Sequence, residues 1–286
     1  MGISRPCSAL FAAVFLTSSS ISAQSPPTLD QLLDRMGAYL TEYESQLSSV
    51  VADERFEQNV YAPGAGSRTQ ATTLESEVAF IRLPGGAEWL GFREVKRVNF
   101  KAVKQNGPSI SDVLTSAAGD MTKARAIANA SAKHNLGLPR TINVPTAPLD
   151  IIHPAHRAAH RYELTGDESV RGTRTMVVAF TEVARPTLVR EPNGTYLVSS
   201  GRIWIEPESG GVWRVEWVYQ AEKRHPRALA PPRLRVDFER HAELGFMVPR
   251  AMTEVFSATS RTRGEGRATY RNFRRFGTSA RIVPQP

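Results

Sequence analysis

The 286-residue chain has a single cysteine, Cys7, and it lies in a stretch that reads as a removable leader. The exported form is therefore expected to have none. That excludes disulfides, cysteine-ligated zinc and thiol nucleophiles. Lysine is also scarce. It occurs only at 96, 101, 104, 123, 133 and 223, so arginine carries most of the formal net charge of +8. A GC-rich genome gives such a bias without any function. A functional charge in an exported protein points instead to anionic lipid, lipopolysaccharide or acidic glycan, and nucleic acid is a poor partner there. Beyond the leader, no apolar run approaches the ~20 residues that a membrane-spanning helix needs. HExxH, G-x-S-x-G and glycine-rich nucleotide loops are all missing. No cofactor is expected, and the chain reads as non-enzymatic.

The leader is residues 1–23. Arg5 is the one charge before an apolar run from Cys7 to Leu16, and a small-residue zone ends at Ile21-Ser22-Ala23. This is the layout of a secretory signal. Cleavage after Ala23 would place residues 24–286 in the periplasm or outside the cell, as a single β-rich domain held by its core alone.

Thr28 reads as the N-cap of a long helix with Asp30 in its first turn. Leu29, Leu32, Leu33, Met36, Leu40, Tyr43, Leu47 and Val50 recur at helical spacing and form one apolar stripe. Strands are predicted over Val51–Tyr61, Thr72–Leu83 and Trp89–Gln105. A helical insert spans about 109–152. In it Asp120 caps Met121–Leu136, Gly137 stops that helix, and a proline-rich crossing segment comes next. From Arg161 onward strands and turns alternate, which suits an antiparallel meander.

The clearest pattern lies in Gly201–Tyr219, where two strands flank Pro207-Glu208-Ser209-Gly210-Gly211. Strict alternation puts Trp213, Val215, Trp217 and Tyr219 on one face and Arg214, Glu216 and Gln220 on the other. With Phe180 and Phe238 these aromatics form either a filled core or the lining of a ligand cavity.

A long first helix, a β meander and the segment Ile203-Trp204-Ile205-Glu206-Pro207-Glu208-Ser209-Gly210-Gly211-Val212-Trp213-Arg214-Val215 together resemble the LolA/LolB lipoprotein-carrier superfamily. The strands Leu234–Glu239 and Leu244–Pro249 and the one ending Tyr270-Arg271-Asn272-Phe273 extend the likeness. The resemblance implies an α+β, mostly antiparallel fold. Its sheet would be strongly curved, an unclosed barrel, with the long helix and the small helical insert packed on the concave face. It also implies a lipid or an acylated or hydrophobic partner held there, with Trp213, Trp217, Tyr219, Phe238 and Phe180 as ligand-binding residues.

Three other features compete. His153, His156 and His160 lie close enough for zinc or nickel and suggest a metal-dependent hydrolase, but Pro154 favours a turn and Arg157 and Arg161 would repel a cation. Arg261, Arg263, Arg267, Arg271, Arg274 and Arg275 suggest the charged outer face of an edge strand. That face could dock an anionic envelope surface or a protein, as in an envelope assembly scaffold. On that strand Arg267, Arg271 and Arg275 would share a face with Phe273. The acidic pairs Asp53/Glu54 and Glu206/Glu208 read as solvated surface.

Overall fold

The computed structural model describes residues 26–276, apart from 49, 63–66, 83–88, 105, 116–120, 138–139, 141, 191–193, 223–230 and 258–261. The expected leader lies outside the described residues. The first element is α1 (Leu29–Leu47), capped by Thr28, whose side chain accepts from the Gln31 amide while Gln31 accepts from the Thr28 amide. This reciprocal pair satisfies two amides that a helix start leaves unpaired.

Four strands come next: β1 (Val50–Tyr61), β2 (Arg68–Arg82), β3 (Trp89–Val98) and the short β4 (Lys101–Ala102). Asn99 and Phe100, both at positive φ, make the turn between β3 and β4, where one continuous strand was expected. The helices α2 (Ile110–Leu114), α3 (Met121–Ala132) and α4 (Ala147–Ile151) come after them, then a 3-10 turn at Pro154–Ala159. The rest is β5 (His160–Val170), β6 (Thr173–Glu182), β7 (Val189–Arg190), β8 (Tyr196–Ile205), β9 (Val212–Ala221), β10 (Arg233–Arg240), β11 (Met247–Ser257) and β12 (Arg263–Arg275).

All strands join one antiparallel, curved and unclosed sheet in the order β4-β3-β2-β1-β12-β11-β10-β9-β8-β6-β5, with β7 paired to β8. The first and last strands of the chain are therefore neighbours in the middle of the sheet. The Arg-rich strand β12 lies between β1 and β11, so it is not an edge strand. Local alternation carries no information about which distant strand closes on which, and this is why the edge placement failed.

One face of the sheet, here the inner face, carries the main apolar cluster. Leu32, Leu33, Met36, Leu40, Tyr43 and Leu47 of α1 pack there on Phe56, Leu74, Phe80, Val178, Ile203, Val215, Trp217, Val236, Phe238 and Met252. A second cluster, on the outer face, joins Val51, Ala79 and Phe92 to Ile110, Val113, Ala124 and Ile127. Val50 and Ala52 belong to the first cluster and Val51 to the second, as pleating requires.

The insert divides between these two clusters. Its first part, α2 and α3, covers Val51, Ala79 and Phe92. Its later part enters the main cluster through Leu149, Ile151 and Ile152. The topology explains this. The chain leaves β4 at one edge of the open sheet and must reach β5 at the other; α2 and α3 first cover the outer face, and the connection after α3 then crosses the inner face. Leu136 N–H donates to Gln58 of β1, Arg93 of β3 donates to the Asn143 carbonyl, and Arg140 pairs with Glu254 of β11 at 2.8 Å.

Candidate functional site

The inner face grades from apolar to polar along its strands. Its middle rows hold Val178, Ile203, Val215 and Val236, then Phe180, Gly201, Trp217 and Leu234. Trp217, Phe238 and Phe180 are each 1 % exposed, enclosed under α1 and the crossing segment. Gly201 lets Phe180 close over it. A Cβ there would collide with the Glu216 carbonyl oxygen and lie 2.8 Å from Phe180 Cε1.

Tyr219 is half-buried, its ring tilted against Trp217 with centroids 4.8 Å apart, and burial pushes its phenol up. Trp213 departs from the alternation. Trp204 pairs with Arg214 and Ile205 with Val212, which leaves Trp213 in a bulge. It touches both the inner cluster and a small outer cluster of Val170, Val177 and Trp204. A similar bulge at Asn272, with φ at 54°, puts Phe273 against the inner cluster. Phe273 and Arg271 are thus on opposite sides, against the expected shared face.

At the ends of β5, β6, β8 and β9 the inner face is polar. His160 faces Glu182 across β5 and β6. Glu182 accepts from the amides of Leu188 and Ser199, and Ser199 faces Tyr219. Glu182, Ser199 and His160 are all buried. Burial holds His160 below its ordinary range, while a hydrogen bond to the His156 carbonyl and the charge of Glu182 act the other way.

An apolar groove of about 220 Å³ opens between α1 and the 3-10 turn, lined by Leu33, Met36, Gly37, Ile152, Pro154 and Tyr162. Burial pushes the Tyr162 phenol up to about 12. Arg157 bridges the groove to Asp30, at 3.0 Å, and to Asp34. Bridges this exposed contribute roughly 0–1 kcal/mol each.

His153 and His160 do separate jobs. His153 caps the 3-10 turn by accepting from the Ala155 amide, and its Nε2 lies 2.8 Å from Glu44 of α1. His160 packs edge-on against Phe180. Among the described residues no group of three metal-ligating side chains converges.

Sequence reasoning missed the buried charges. Glu54 holds Arg93 through Nη2–Oε1 at 2.7 Å, with Arg93 over the Phe56 ring at 4.8 Å. Glu54 lies between Ala52 and Phe56 on the inward side of β1, so the alternation held the signal. Asp53, one residue earlier, faces outward and pairs with Arg274 at 3.1 Å. Glu206 is partly buried in its turn and accepts from Ser209, while Glu208 is exposed. The outer face near Asp53 is a mixed-charge trough of about 720 Å³, with Glu75, Glu77, Lys96, Arg97 and Arg271 on its walls.

Neither protein-family models nor curated protein sequences give a match to this chain. Among solved structures it is similar to a DUF1329 family protein from Desulfovibrio piger, at 11 % identity and TM-score 0.42, over 89 % of this chain and 94 % of that one. It is similar to a putative outer membrane lipoprotein-sorting protein domain from Vibrio parahaemolyticus, at 10 % identity and TM-score 0.38, over 86 % and 94 %. A LolA superfamily protein from Nitrosomonas europaea aligns at 12 % identity and TM-score 0.35, over 91 % and 98 %. At scores this low the likeness carries no inference about ligand or partner.

Proposed function

We propose that this is an exported, periplasmic, non-enzymatic protein that binds a lipid or an acylated partner on its inner face, with Trp217, Phe238 and Phe180 as lining, Tyr219 at the rim and Trp213 at the side. The observation that carries the reading is the cover of that face. One helix and one crossing segment lie over a wide apolar surface, and an apolar groove separates them at one side.

The energies are matched. Six apolar α1 side chains, each buried at about 1.5–3 kcal/mol, contribute on the order of 10–15 kcal/mol to holding the helix down. A 16-carbon chain taking their place returns about 13 kcal/mol, at about 0.8 kcal/mol per methylene. Exchange of helix for acyl chain is therefore near balance, which suits reversible uptake.

The test is titration with N-phenylnaphthylamine, a dye that fluoresces in apolar surroundings, and then displacement with acylated amphiphiles. Saturable uptake and displacement are expected. No uptake would overturn the reading. The outer trough favours a second reading, a scaffold that docks a charged partner there. In that case association weakens steeply with salt and the dye is not taken up.

A further inference from the structure

Among the described residues, Ser199 Oγ, Trp217 Nε1 and His160 Nε2 are buried inner-face polar atoms with no hydrogen-bonding partner, and they lie on adjoining strands. Their residues are 0 %, 1 % and 7 % exposed. Leaving such a group buried and unpaired is unfavourable, so three near one rim form a pattern that packing alone does not reward. Ser199 pairs with Tyr219, Trp217 pairs with Gly201, and His160 pairs with Glu182, which holds the Ser199 amide at 2.9 Å.

Their chemistry is complementary. The indole N–H only donates. His160 Nδ1 lies 3.0 Å from the His156 carbonyl, which can only accept, so Nδ1 carries the proton. In the neutral ring Nε2 is then an acceptor. Ser199 does both. The carboxylate of Glu182 is already engaged by two amides, and Arg140 by Glu254, so neither charge is offered to a ligand.

We propose that this rim is the seat for the polar end of the bound amphiphile, and that it selects an uncharged head carrying both an acceptor and a donor, an acyl-glycerol ester or an acyl amide. The proposal rests on the lipid-binding reading above. The acyl chain would run from the rim over Phe180 and Trp217 toward Phe238, and the head would complete the hydrogen bonds of Ser199, Trp217 and His160. Among the described residues of the rim, no free cation would pair a carboxylate head, which would be desolvated there.

The experiment compares monooleoylglycerol, oleoylethanolamide and oleate as displacers of bound N-phenylnaphthylamine at about pH 8, where histidine is neutral. Wild type, Ser199→Ala and Trp217→Phe are each first checked for folding by thermal melting. The wild type is expected to prefer at least one neutral head over oleate about tenfold. That preference should fall about fivefold in each variant, the loss of one hydrogen bond. A glyceryl preference identifies the ester and an ethanolamide preference the amide. Equal displacement by oleate, or a preference unchanged in Ser199→Ala, overturns the seat while the dye still reports an apolar face. Failure of every form to take up dye overturns the lipid-binding reading, and the seat with it.

Discussion

A covalent lock between α1 and the 3-10 turn offers a direct test of the exchange. An ideal Cβ at Gly37 would lie 3.3 Å from Pro154 Cβ. Disulfides span Cβ–Cβ distances of about 3.5–4.5 Å, so Gly37→Cys with Pro154→Cys needs only a shift of a few tenths of an ångström. Expected leader cleavage removes Cys7, so no native thiol competes. The bridge would close a loop of about 120 residues and constrain the unfolded chain by up to about 4–5 kcal/mol, less any strain. It would also pin α1 beside the groove that Leu33, Met36 and Ile152 line. The assay is dye uptake by the oxidised and dithiothreitol-reduced double variant, with thermal melting alongside. The oxidised form should melt higher and take up at least tenfold less dye, and reduction should restore uptake. Equal uptake by both forms would refute the claim that α1 must move.

The buried charges and the close contacts carry further expectations. Glu54→Ala leaves Arg93 buried without its carboxylate and should cost about 3–5 kcal/mol in urea unfolding, whereas Glu54→Leu with Arg93→Met should cost far less. Gly201→Ala drives a methyl into the Glu216 carbonyl and should destabilise by about 3 kcal/mol or prevent folding. His160 supplies a pH dependence. Its folded pKa is lowered by burial, so below its unfolded value of about 6.5 the unfolded chain binds the extra proton first. The contribution is intact above that value and is lost as pH falls toward the folded pKa. Urea midpoints should drop over that range in wild type and drop less in His160→Gln.

Much of the plan was legible because it is local. The α1 stripe from Leu32 to Leu47 and the Thr28 cap rest on residues only three or four positions apart, and the structure keeps both. The hairpin around Pro207–Gly211 was equally plain. The features that the sequence hid are non-local or depend on a single irregular residue. The pairing of β1 with β12 joins residues more than 200 positions apart and turned an expected edge into the middle of the sheet. The bulge at Trp213 takes that residue out of the alternation and the bulge at Asn272 turns Phe273 to the side opposite Arg271, and neither position carries a glycine or proline to announce it. The burial of Glu54 was readable from its phase between Ala52 and Phe56, but its partner Arg93 was not, since any strand could have supplied the cation. Ser199 and Glu182 gave no signal, because a serine and a glutamate in strands read as surface, and their burial depends on neighbours distant in the chain.

The most direct measurement is mass spectrometry of solvent extracts from the exported protein, purified without detergent. The account predicts a stoichiometric amphiphile with one or two acyl chains and an uncharged head. A protein that yields no such molecule, and takes none up when exposed to membrane lipid, would contradict it.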